Sequence, residues 1–146
     1  MGRRFQKLYE RRVSMTQEDY CSYELSQLLK EKGFEGVCEY AYSNKGNYFE
    51  VDRGNFDEVY CLRPTHQMAM KWLREVHHIE ILITFGFPFI DGKEQYKYFW
   101  SAVIVCNNHL EYPMNDPNNV VYSEEMADSY EEAVEAALKY SLENLI

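Results

Sequence analysis

Between Ile79 and Cys106 apolar and polar side chains alternate, and that alternation restricts the architecture more than any other feature. Ile79, Ile81, Ile83, Phe85 and Phe87 fall on one face of an extended segment, opposite Glu80, Leu82, Thr84 and Gly86. After the Asp91-Gly92 loop, Tyr96, Tyr98, Trp100, Ala102 and Ile104 fall together again. A period of two is the mark of a strand, and two such runs around an Asp-Gly loop predict a β-hairpin. Burying one large apolar side chain is worth roughly 1.5–3 kcal/mol, so Phe85, Phe87, Tyr98 and Trp100 are expected to be core. Phe89 and Phe99 are the rings expected outside it. With Leu82, Val103 and Val105 they form a candidate interaction surface, an apolar outer face that needs a cover. The cover is either a helix of this chain or another subunit or partner.

The helices announce themselves by caps and by 3.6-residue spacing. Thr16 with Asp19 resembles a capping box ahead of Cys21, Leu25, Leu28 and Leu29, which predicts a helix over about residues 17–32, closed by Gly33. Pro64-Thr65 opens a second helix, with Ala69, Trp72, Leu73 and Val76 as its buried stripe and His77 near its end. Ser129 and Glu132 open a third, whose inward side runs Tyr130, Ala133, Val134, Ala137, Leu138, Ser141 and Leu145. Between the first two helices lie three short β-prone runs, Val37–Ser43, Tyr48–Val51 and Glu58–Leu62, with Asn44-Lys45-Gly46-Asn47 as a turn. Residues 107–128 are polar and carry Pro113 and Pro117, so they read as a long loop.

The resulting order, α-β-β-β-α-β-β-α, predicts an α+β fold: a largely antiparallel sheet of four to five strands with three helices. Residues 15–146 form one α+β domain in this reading. Residues 1–14, with Arg3, Arg4, Lys7, Arg11 and Arg12, read as a flexible basic arm. No apolar run reaches the length of a membrane span, and the opening residues lack the apolar core of a secretion signal, so the expected location is the cytoplasm.

The formal net charge is −9. Such a body repels phosphate, which disfavours direct nucleic-acid binding. Glu131, Glu132, Glu135 and Glu143 form a candidate acidic surface on the last helix. Charges so spaced can imitate a line of DNA phosphates, although solvated acidic helices are far commoner. Asp116, Glu124, Glu125 and Asp128 lack the spacing and glycine of a calcium loop and default to solvated carboxylates.

No catalytic residue, cofactor site or metal site is assigned. His77-His78-Ile79-Glu80 has zinc-binding residue types, but neighbours diverge as a chain leaves a helix, and a helix end with His⁺ complementing the dipole is the better account. His66, just after Thr65, and His109 are not placed near a nucleophile. Cys21, Cys38, Cys61 and Cys106 contain no CxxC pair and read as small core hydrophobes. No GxSxG, Walker A or GxGxxG pattern occurs.

Three segments, CSYELSQLLKEKGF (Cys21–Phe34), RPTHQMAMKWLREVHHI (Arg63–Ile79) and YEEAVEAALKYSLENLI (Tyr130–Ile146), carry a resemblance. The chain is similar there to small proteins of gut Bacteroidales genomes, their phages and mobile elements, a group with no established activity. That resemblance implies a phage or mobile-element setting in a bacterial cell and transfers no site residues. The expected function is a non-catalytic accessory or protein-interaction role, with self-association through the sheet. The alternative is an acidic anti-defence inhibitor or DNA mimic that binds a host nucleic-acid-processing protein.

Overall fold

The computed structural model describes residues 19–86, 89–90, 93–94, 99–106 and 120–146; for 89–90, 93–94 and 120–126 it describes the backbone alone. The basic arm, the Thr16 cap, Phe87, Tyr96, Tyr98, His109 and Asp116 therefore lie outside the described residues, as do the side chains of Phe89, Glu124 and Glu125.

The elements in chain order are α1 (Tyr23–Glu31), β1 (Tyr40–Tyr42), β2 (Tyr48–Glu50), a short 3-10 turn (Phe56–Glu58), β3 (Cys61–Arg63), α2 (His66–His77) and β4 (Ile79–Gly86). Then come β5 (Phe89–Ile90), β6 (Lys93–Glu94), β7 (Phe99–Cys106), β8 (Val120–Ala127) and α3 (Tyr130–Asn144). The fold is α+β, with antiparallel pairing throughout.

The strands divide among sheets rather than forming one. β2-β1-β3 make a small sheet, β4-β7-β8 a larger one, and β5-β6 a two-stranded ribbon. The expected single sheet of four to five strands is thus replaced by separate sheets. The second difference is β8, which occupies Val120–Ala127 inside the stretch expected to be a loop. β8 runs along the free edge of β7, with Ile104 opposite Tyr122 and Ala102 opposite Glu124, and breaks register twice along the way.

The alternation from residue 79 to 106 does produce the predicted pairing. Ile79 faces Cys106, Ile81 faces Ile104, and Ile83 faces Ala102 across β4 and β7. One face of this hairpin meets all three described helices. Ile79, Ile81, Ala102 and Ile104 bury themselves against Leu25 and Leu29 of α1, Trp72 and Leu73 of α2, and Val134, Leu138 and Leu142 of α3.

Each helix starts where a side chain satisfies an orphan backbone donor. Thr65 caps α2 by accepting from Met68 N, and Ser129 caps α3 by accepting from Glu132 N. Glu132 returns a bond to Asp128 N, one residue earlier than a reciprocal box requires. The first helix is shorter than expected, because its cap is Ser22. Upstream the backbone is already committed elsewhere: Cys21 N donates to Pro64 O, and Asp19 O accepts from His66 N. A chain tied to a neighbouring segment by those groups does not coil. Gly33 takes the left-handed conformation just after α1, as expected, with φ at 82°.

Two apolar residues depart from their expected burial. Val76 is exposed although it was assigned to the buried stripe of α2. Phe85 has the correct parity for the inner face yet is 53% exposed. The inner face is fully covered only as far as Ile81 and Ala102; Ile83 is half-buried and Phe85 extends beyond it. There Phe85 packs on Trp100, which in turn meets Tyr130 edge-on.

Candidate functional site

Among the described residues two places have the makings of a site: the outer face of the β4-β7-β8 sheet and a largely buried polar cluster between α1, α2 and α3.

The outer face carries Glu80, Leu82 and Thr84 from β4 opposite Val105, Val103 and Ser101 from β7, with Phe99 opposite Gly86. Leu82 is 49% exposed; Val103, Val105 and Phe99 are half-buried. No helix packs on this face among the described residues, since the helices share the core on the other side. Its polar members are satisfied locally. Arg74 Nη1 lies 3.0 Å from Glu80 Oε1, and the Thr84 and Ser101 hydroxyls are 2.6 Å apart. The β4 and β7 part of the face is consequently near-neutral and apolar at its centre, as the alternation predicted for Leu82, Phe99, Val103 and Val105.

The acidic helix is more divided than its sequence suggests. Glu131, Glu132 and Glu143 are exposed. Glu131 contacts Asp19, whose carboxyl is pushed up by partial burial and then by the Glu131 charge. Lys139, on the same helix, reaches across to Glu24 of α1 at 2.9 Å. Glu135 is not part of the surface line at all: it turns inward, with its side chain 29% exposed. That is a correction, and the cause is three waiting donors. Glu135 Oε1 accepts from Ser22 N at 2.9 Å and from His66 Nε2 at 2.8 Å, while Oε2 accepts from the Ser22 hydroxyl at 2.8 Å. Burial pushes the Glu135 carboxyl up, but the bonds from His66 and Ser22 outweigh it and hold the group below its ordinary value.

His66 and Cys21 complete this cluster. His66 is 4% exposed, and with Nε2 on Glu135 its Nδ1 has no hydrogen-bond partner. Cys21 is fully buried, and burial followed by the nearby Glu135 charge pushes its thiol far up. A protonated, enclosed thiol is a poor nucleophile, so cysteine catalysis does not follow from the proximity. Cys21, His66 and Glu135 are the group among the described residues whose donor atoms, one each, approach within 4.8 Å of one another.

The His77-His78-Glu80 stretch disperses. His77 ends α2 with its ring edge-on to Trp72 at 4.6 Å, and Glu80 is taken by Arg74. Burial and then the neighbouring His78 push the His77 ring down, which opposes the charged form expected to complement the dipole. His78 instead caps the helix through its backbone, in the left-handed region with φ 56°.

Beside α1 a groove of about 310 Å³ is lined by Ser26, Lys30, Tyr60 and Cys61 among others. Lys30 is spoken for there, donating to Tyr60 O and lying over the Tyr60 ring.

No helix among the described residues is long and apolar enough to cross a membrane. No protein-family model, curated protein or solved structure significantly matches the chain.

Proposed function

We propose that this chain is a non-catalytic accessory protein of a phage or mobile element, and that it self-associates through the outer face of its β4-β7-β8 sheet. The observation that carries the reading is Leu82, half exposed at the centre of an apolar face that no described helix covers. Water contact along Leu82, Val103 and Val105 is unfavourable, and fully burying one such side chain is worth roughly 1.5–3 kcal/mol. A second copy of the chain is the occupant this face suits. A two-fold contact places identical patches together, and the internally paired polar groups of β4 and β7 do not repel their own image.

Sedimentation velocity across a wide concentration range tests it. Wild-type protein is expected to form a dimer that Leu82→Glu abolishes while the circular dichroism spectrum stays the same. A wild-type monomer at every concentration sinks the proposal. An acidic-inhibitor role has less support, because Glu135 leaves the surface line and Lys139 interrupts it.

A further inference from the structure

Three separate pieces of backbone deliver Cys21, His66 and Glu135 to one place. Cys21 lies in the extended segment before α1, fastened by its N–H to Pro64 O. His66 is the first residue of α2, fastened by its N–H to Asp19 O. Glu135 reaches in from the second turn of α3. Each offers a donor atom, and the three atoms lie within 4.8 Å of one another.

Two further features set the cluster apart from a chance meeting in a core. The carboxylate of Glu135 is held by two donors from Ser22, its backbone N–H and its hydroxyl. Outer bonds of this kind orient the carboxylates of metal sites. The second feature is His66 Nδ1, buried and without a partner. With Nε2–H donating to Glu135, the neutral ring leaves a bare lone pair on Nδ1, and the cation leaves a bare N–H. Nδ1 is therefore free to carry the ring proton when Nε2 turns its lone pair to an ion.

We propose that Cys21, His66 and Glu135 bind a single zinc-class divalent ion. One thiolate, one imidazole and one carboxylate form a donor set for Zn²⁺, whereas Mg²⁺ and Ca²⁺ take oxygen ligands. Tetrahedral zinc at its usual bond lengths sets its donors about 3.3–3.6 Å apart. Side-chain rotation closes the wider gaps, and the 2.8 Å His66–Glu135 contact opens slightly to admit the ion. Cys21 binds as the thiolate, its proton passing to solvent, and His66 binds through Nε2 as the neutral ring, its proton moving to Nδ1. The ion ties the segment before α1 to α2 and α3.

The test uses the full chain, stripped with a chelator and desalted. Zn²⁺ is expected to bind at one equivalent and to raise Tm, with Mg²⁺ at the same concentration leaving Tm unchanged. Co²⁺ is expected to give the near-ultraviolet thiolate charge-transfer band together with the visible bands of a tetrahedral ion. Cys21→Ser should keep the fold, lose the charge-transfer band and weaken Zn²⁺ binding at least about tenfold, since even outer-sphere changes cost that much. If Cys21→Ser does not fold, Glu135→Gln serves: its amide oxygen still accepts from Ser22, and Zn²⁺ binding should weaken similarly. The proposal is overturned if wild-type protein takes up no stoichiometric Zn²⁺, if the Co²⁺ form lacks the thiolate band, or if the folded variant binds Zn²⁺ as wild type does.

Discussion

His66 Nε2 lies 2.8 Å from Glu135 Oε1, joining the first residue of α2 to the second turn of α3 across 69 positions of sequence. The same oxygen also accepts from Ser22 N, so one carboxylate holds the starts of two helices to the flank of a third.

Glu135→Ala is expected to destabilise the fold by about 1–3 kcal/mol, most of it from leaving buried His66 without an acceptor. Ser22 is exposed, and water can replace its lost partner. Glu135→Gln should cost less, because the amide oxygen still accepts. Urea unfolding of the three proteins checks the ranking.

The Glu135 carboxyl in the folded chain sits below its ordinary value of 4.5. A depressed acid stabilises the fold above that value and loses the contribution as pH falls through the folded value. Urea midpoints for the wild type should therefore drop more steeply below about pH 4.5 than those of Glu135→Gln, which has no proton to gain there. Parallel curves for the two proteins would refute the assignment.

His78 adopts φ 56°, where a side chain is strained and glycine is not. Its backbone N–H donates to Leu73 O, a bond that glycine keeps. His78→Gly is expected to stabilise the protein by about 0.5–1 kcal/mol, the relief of left-handed strain less the added freedom of the unfolded chain. Thermal unfolding measures it.

Cys21 should resist alkylation until the protein unfolds, being fully enclosed and held in the thiol form. Cys38 and Cys106 are half-buried and should react first, Cys38 slowly because burial pushes its thiol up to about 11. Pulse labelling with iodoacetamide, followed by mapping of the modified peptides, gives the order. Early modification of Cys21 in native protein would contradict its enclosure.

Local signals in the chain were sufficient for what local physics decides. Thr65 and Ser129 cap where their positions say they should, and the parity of Ile79, Ile81 and Ile83 specifies the inward face. Other features depend on partners far away in sequence. β8 opens on the β-prone Val120, Val121 and Tyr122 but runs on into Ser123, Glu124 and Glu125 without apolar alternation, a signal too short to mark a strand by itself; pairing with the edge of β7 completes it. Phe85 obeys the alternation and is still exposed, because periodicity assigns a side without saying how far the opposing helices extend. Glu135 reads as one more acid on a polar helix face. Its position beside buried Val134 was the one available hint that it borders the core, and its partners at 22 and 66 could not be seen from helical spacing.

Ser22 has a double duty with a consequence for biosynthesis. Its hydroxyl caps α1 at Leu25 N and also donates to Glu135, so the cap of the first helix is steadied by a residue made 113 positions later. On a ribosome α1 emerges long before that anchor exists, and Leu25 and Leu29 also await Leu138 and Leu142 of α3. A nascent chain arrested before residue 135 therefore lacks the anchor that steadies α1.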